Sequence, residues 1–196
     1  MLVVGLTGSI GMGKSATAAL FAAAGDAVHD ADRAVHALYR GRAVAPVGAA
    51  FPDVIVDGTV DRARLGAAVF GDAEALRRLE GIVHPLVRED EAAFLARARD
   101  AGRRIAILDV PLLFETGRDR RLDAVVVATA PAAVQRARVL ARPGMTEETF
   151  ATITGKQMPD AEKRRRAHFI VDTGRGHEDA ARQVAAIRRA LLTMAG

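Results

Sequence analysis

Apolar residues along this chain fall into two patterns, short continuous blocks and longer stretches in which they recur every three to four positions. Leu2-Val-Val-Gly-Leu6, Ile105-Ala-Ile-Leu-Asp109, Ala124-Val-Val-Val-Ala128 and Phe169-Ile-Val-Asp172 are blocks of the first kind. They are too short and too continuous for amphipathic helices, and predict strands buried on both faces. After the first block a glycine-rich turn leads into Ser15 to Ala24, which is strongly helix-forming and stops at Gly25, a residue suited to a helix C-cap. A short strand over Ala27 to Asp30 would then complete a βαβ crossover, with Asp32 as N-cap of a helix over Arg33 to Arg40.

The middle of the chain reads differently. Phe51 to Gly58 contains at most a short extended piece and a turn, and helical periodicity follows over Asp61 to Phe70, Asp72 to Val83 and Pro85 to Ala101. Asp61 and Asp72 suit N-caps, and Pro85 suits the first turn of a helix of its own. After the strands return, Pro131 to Ala141, Thr146 to Thr154 and Asp160 to Arg166 form three short charged helices broken by Pro143-Gly144 and Pro159, the pattern of a mobile flap. Glu178 to Met194 makes a closing helix. The expected organisation is an α/β core over residues 1–40, 102–135 and 167–196, a helical insertion over 41–101 and a lid over 136–166.

Composition removes several classes of function. With 196 residues, half of them hydrophobic, the chain has enough core for one domain and a modest insertion. Cysteine is absent, which excludes disulfides, thiolate metal sites and cysteine nucleophiles. The net charge of +4 suggests a nucleic-acid partner, but the basic residues are three lysines and 25 scattered arginines, there is no tryptophan, and Tyr39 is the only tyrosine. No nucleic-acid partner is expected. No apolar run approaches the ~20 residues of a membrane span, and the amino terminus lacks a basic leader, so neither membrane association nor export is expected. The expected location is the cytoplasm, with oligomeric state open and a monomer favoured.

The chemistry is concentrated at the ends of the predicted strands. Gly8-Ser-Ile-Gly-Met-Gly-Lys-Ser15 matches G-x-x-x-x-G-K-[ST] in full and lies between a predicted strand and a predicted helix. Such a loop turns successive backbone N–H groups toward phosphate oxygens; Lys14 reaches the β and γ phosphates, and Ser15 offers its hydroxyl to a magnesium ion carried with ATP. Asp109, ending an apolar run, has the form of the strand-end acid found near such a metal, although a strand-terminating acid has the same form. Asp30 and Asp32 place two carboxylates at the end of the second strand, where either could take a proton from an acceptor hydroxyl or only cap the following helix. His84 lies between two predicted helices, a position more often structural than catalytic. Arg136, Arg138 and Arg142 precede the Pro-Gly break and could reach a triphosphate. Glu162 to Arg166 reads as solvated surface.

Taken in order, Leu6-Thr-Gly-Ser-Ile-Gly-Met-Gly-Lys-Ser15, Asp30-Ala-Asp32, Asp61-Arg62 with Leu65, His84-Pro85-Leu86, Asp109-Val-Pro-Leu-Leu-Phe-Glu115 and Gln135/Arg138/Arg142 resemble the dephospho-CoA kinase family nearly end to end. The resemblance implies a P-loop fold of the NTPase type, with a five-stranded parallel sheet flanked by helices, a helical CoA-binding insertion and a helical lid. It implies phosphorylation of the ribose 3′-hydroxyl of dephospho-CoA by ATP with magnesium, the last step of CoA biosynthesis. A nucleoside or nucleotide monophosphate kinase is the alternative. By the same resemblance Asp32 is the base, and Lys14 is the second catalytic residue. Gly8, Gly11, Met12, Gly13, Lys14, Ser15, Ala16, Arg138 and Arg142 would hold ATP, with Ser15 on the metal. His84, Leu112, Leu113, Phe114 and Glu115 would line the acceptor site. Three positions depart from the family pattern: Ala16 where threonine is frequent, Thr173 where asparagine is frequent, and His168 where an acid is frequent.

Overall fold

The structure, a computed structural model, describes residues 1–194 and divides into two units, residues 1–29 with 98 onward, and residues 30–97. In the larger unit β1 (Leu2–Thr7) leads into α1 (Lys14–Ala23) and then β2 (Ala27–Asp30). The strands join a five-stranded sheet in the order β2-β5-β1-β6-β7, with β5 at Ile105–Asp109, β6 at Ala124–Thr129 and β7 at Phe169–Asp172. β1 runs parallel to both β5 and β6, and β6 runs parallel to β7. Both β5 and β6 are buried along their whole length, as their unbroken apolar sequences require. This unit's core gathers Leu6, Phe21, Ile107, Val126, Val171 and Leu191, so that α1 and the terminal helix close on the sheet. Phe21 is fully buried, and its truncation to alanine would cost about 3–5 kcal/mol.

After β6 come α6 (Ala132–Leu140), α7 (Glu147–Gly155) and α8 (Asp160–Arg166), and α9 (His177–Met194) ends the described chain. The turn after α1 is fastened to α9 by Asp26, whose two carboxylate oxygens accept from Arg188 Nε at 2.9 and 2.8 Å. Burial pushes the Asp26 carboxyl above its ordinary value despite that bond and the charges of Arg188 and Arg103. His168 has a structural explanation: its Nδ1 accepts from Val125 N at 3.1 Å while its own N–H donates to Val125 O at 2.9 Å, extending the β6–β7 pairing by one position.

Residues 30–97 form a core of their own from Leu38, Val47, Phe51, Leu65, Leu79 and Val83. They comprise α2 (Ala31–Leu38), α3 (Val44–Ala50), a hairpin of β3 (Ile55–Val56) and β4 (Thr59–Val60), α4 (Arg62–Val69) and most of α5 (Ala73–Asp100). Asp57 and Gly58 both have left-handed φ, the two-residue turn that matches strand twist. The first unit ends at residue 29 and not at 40, because Leu38 of α2 packs into the core of residues 30–97. α3 is absent from the sequence reading, since Pro46 and Gly48 depress its helical signal; Pro46 lies in the first turn, where no intrahelical N–H is needed.

α5 corrects a second expectation. Residues predicted as two helices meeting at His84-Pro85 form one helix of 28 residues with Pro85 inside it. A proline there removes a hydrogen bond and crowds the carbonyl four residues back, a penalty of about 3 kcal/mol. The apolar stripe Ala75, Leu79, Val83 is buried, and Leu86 and Val87 continue it beyond the proline into the same core. That burial keeps the helix continuous. Asp61 and Asp72 do cap α4 and α5, accepting from Arg64 N and from the Glu74 and Ala75 amides at 2.9 Å.

Candidate functional site

The phosphate loop begins at the carboxyl end of the central strand β1, the edge at which parallel α/β sheets bind ligands. Gly8 has no room for a side chain, because a Cβ would lie 2.6 Å from the Ala128 carbonyl oxygen. Gly13, at φ 83°, is the N-cap of α1 and turns the loop into the helix. α1 has no acidic residue in its first turn, so its positive end is uncompensated by the protein. Lys14 Nζ lies 2.5 Å from Asp109 Oδ1, and that carboxylate side chain is only 3% exposed. This distance joins the loop lysine to the strand-end acid, a contact the sequence pattern did not specify. Ser15 and Ala16 are exposed at the start of α1, and among the described residues the Ser15 hydroxyl has no protein partner. Met12 turns inward: it is 3% exposed, and its Sδ accepts from Ala130 N at 3.1 Å. Its contribution to a phosphate site is therefore restricted to backbone.

The arginines separate into different roles. Arg138 donates through Nη2 to Thr173 O and through Nη1 to Thr173 Oγ1, both at 2.8 Å, with Gly11 O at 3.5 Å. Arg136 is paired with Glu147 of α7. Arg142 is exposed, and among the described residues its guanidinium has no protein partner.

The segment Leu112 to Glu115 follows β5 and is mostly turned into the protein. Leu113 is 1% exposed and Phe114 5%, while Leu112 is 42% exposed. Glu115 Oε1 accepts from Met158 N at 2.8 Å and lies 2.9 Å from Lys163 Nζ. Burial raises the Glu115 carboxyl, but the Lys163 hydrogen bond, the backbone amides and the lysine charge together outweigh it and hold it below its usual value. Lys163 is fully buried and also donates to Pro111 O at 3.3 Å. The run Glu162 to Arg166 is thus not simply solvated surface. Arg166 stacks 4.4 Å from the Phe114 ring centroid and pairs with Asp119 at 2.9 Å, and Asp160 accepts from the Thr129 hydroxyl at 2.8 Å. Sequence reasoning missed Lys163 because one lysine among three arginines gives no sign of which side chain is inserted.

Within residues 30–97, the capping role falls on Asp30, whose Oδ1 accepts from Arg33 N at 3.0 Å. Asp32 lies one position inside the helix, in its first turn, and is exposed. Among the described residues its carboxylate has no partner. Its expected N-cap role is corrected by that shift of two residues. His84 is exposed on α5 and also without a partner among the described residues. A cleft of about 400 Å³ lies within this unit, lined by His36, Tyr39, Arg40, Thr59, Asp61 and Arg62 among others. There Arg62 Nη1 approaches His36 Nε2 at 2.6 Å, and burial raises the Tyr39 hydroxyl above its ordinary value against the nearby Arg62 charge.

A family model for dephospho-CoA kinase matches residues 2–179. A dephospho-CoA kinase from Mesorhizobium japonicum is 66% identical over 187 residues, covering 95% of each chain. Protein TT1252 from Thermus thermophilus, known as a crystal structure, is 34% identical with a TM-score of 0.86, covering all of this chain and 98% of that one. The dephospho-CoA kinase from Campylobacter jejuni is similar in fold, with a TM-score of 0.66, 20% identity and 96% of each chain covered.

Proposed function

We propose that this chain, which belongs to the dephospho-CoA kinase family, transfers the γ-phosphoryl group of ATP to the ribose 3′-hydroxyl of dephospho-CoA, giving CoA and ADP. The observation that carries the reading is the family match across residues 2–179, because a phosphate loop alone serves many kinds of NTPase. The loop amides and the start of α1 hold the donor phosphates, and Lys14 leaves Asp109 to meet the β and γ oxygens. Asp32 orients the acceptor hydroxyl and takes its proton as the new P–O bond forms and ADP leaves. Its free carboxylate supports this role, whereas Asp30 is engaged as a helix cap.

The donor set fits magnesium, since Ser15 carries an unpartnered hydroxyl and Asp109 a buried carboxylate facing the loop lysine. Bound with ATP, the ion would neutralise phosphate charge and hold the phosphates in register. Arg142 clamps the nucleotide when the segment 136–166 closes over it. His84 and the segment Leu112 to Glu115, the positions that match the family's acceptor motifs, are assigned to acceptor binding. Among the described residues no helix is long and apolar enough to cross a membrane.

ADP release measured with dephospho-CoA, pantetheine, adenosine and nucleoside monophosphates as acceptors tests the reading. Turnover with dephospho-CoA well above all others is expected. Equal turnover with a nucleoside monophosphate would overturn it in favour of a nucleotide kinase.

A further inference from the structure

In a trans peptide the C=O of one residue and the N–H of the next point in opposite directions, so fixing a carbonyl fixes the amide that follows it. Three consecutive carbonyls of the phosphate loop accept from side chains outside it. Gln135 Nε2 donates to Ile10 O at 2.8 Å, Arg138 Nη1 lies 3.5 Å from Gly11 O, and Thr173 Oγ1 donates to Met12 O at 3.0 Å. The amides that follow are those of Gly11, Met12 and Gly13. Met12 N closes a turn on Ser9 O at 3.1 Å. Among the described residues the amides of Gly11, Gly13, Lys14 and Ser15 have no protein acceptor, which leaves them as donors for phosphate oxygens.

The pins are themselves held. Thr173 is 6% exposed, its N–H donates to Thr129 O at 2.8 Å, and its hydroxyl accepts from Arg138 while donating to Met12 O. A Cβ on Gly13 would fall 2.6 Å from Thr173 Oγ1, so the threonine lies directly against the loop's last turn. Gln135 is 9% exposed. The Ile10 peptide is gripped on its other side as well, its N–H donating to Gln157 Oε1 at 3.0 Å.

We propose that Thr173 and Gln135 are positioning residues for the phosphoryl donor: with Arg138 they preset the loop carbonyls outward and so aim its amides at the triphosphate before ATP arrives. This assigns Thr173 to the loop's shape. It rests on the reading of Gly8 to Ser15 as the ATP loop. Removing one pin frees a carbonyl to turn, and the nucleotide must then order the loop as it binds.

The experiment is direct titration of Mg–ATP, without acceptor, into the whole protein and its Thr173→Val, Thr173→Ser and Gln135→Met variants, with steady-state kinetics in parallel. Loss of one net hydrogen bond predicts a Kd for ATP raised about five- to tenfold in Thr173→Val and Gln135→Met. Thr173→Ser keeps the hydroxyl and is expected to bind within about twofold of the unmodified protein, and the KM for dephospho-CoA at saturating ATP is unchanged in all three. An unaltered Kd in both pin variants, a serine variant as weak as valine, or an acceptor KM rising in step with Kd would overturn the proposal. Failure of both pin variants to fold would also overturn it, reducing the pins to general stability. An unmodified protein that binds no ATP would instead strike the reading of the loop. One that binds ATP without phosphorylating dephospho-CoA would strike only the acceptor, because the Kd series stays readable.

Discussion

Lys14 and Arg138, in the larger unit, each already have a protein partner: Asp109 and Thr173. Asp32, His84 and Arg40, among residues 30–97, have none among the described residues. The first group surrounds the phosphate loop, where the ligand has the same triphosphate geometry in every turnover and a fixed array of donors costs nothing to reorganise. The second group belongs to the unit assigned to the acceptor, which must admit a long, flexible molecule, and its polar side chains stay free to meet it. Lys14 and Arg138 are held before the ligand arrives, whereas Asp32, His84 and Arg40, like Ser15 and Arg142 on the donor side, stay available to meet it.

The largest effect that sharpens this contrast is expected from Asp32→Asn. Loss of a general base predicts a fall in kcat of about 10²–10⁴-fold with Kd for ATP unchanged, measured by coupled ADP release and nucleotide titration. A kcat within about twofold of the unmodified protein would remove Asp32 from the base role.

Next in size is the cost of breaking a partnered group in the larger unit. Glu115→Gln leaves the fully buried Lys163 without its counter-charge and is expected to destabilise by about 3 kcal/mol in urea unfolding. Lys163→Met leaves Glu115, which is 18% exposed, with water and the Met158 amide, for about 1–2 kcal/mol. Equal costs would mean that the lysine is not stranded.

A smaller effect is expected in acid. The Glu115 carboxyl is held below its ordinary value of 4.5, so its contribution is complete above that pH and is lost as pH falls through its folded value. Asp26 has the opposite sign. Its carboxyl is raised above 3.8, so its contribution is complete below that pH and is lost as pH rises through its folded value. Stability measured against pH is expected to fall less steeply on the acid side in Glu115→Gln, and Asp26→Asn is expected to remove a loss of stability on rising pH. The smallest effect is expected from Pro85→Ala, which restores a hydrogen bond within α5 but also frees the unfolded chain, so that only about 1 kcal/mol of the proline penalty is recovered in the same unfolding assay.

What the sequence revealed follows the range of the interactions. The phosphate loop, the strand-end Asp109 and the caps Asp61 and Asp72 are local patterns, and all three are found where the chain order puts them. The shift of capping from Asp32 to Asp30 was not legible, since two carboxylates two residues apart offer the same cap and only the backbone decides between them. The unbroken α5 was hidden for a different reason. Proline's local penalty is written at one position, while the burial that outweighs it is spread over Leu79, Val83 and Leu86. Thr173 and Met12, whose hydrogen bond spans 161 positions, leave no sequence trace of their contact at all. Lys163 is a similar case, a buried cation that looks like any other member of a charged run.

The central claim, transfer to one particular hydroxyl, is tested most directly by identifying the product. The purified protein is incubated with Mg–ATP and dephospho-CoA, and the mixture is followed by phosphorus NMR. A new phosphomonoester at the ribose 3′ position, formed one for one with ADP, is predicted. ADP appearing without that phosphomonoester, or phosphate arriving at another position, would contradict the account.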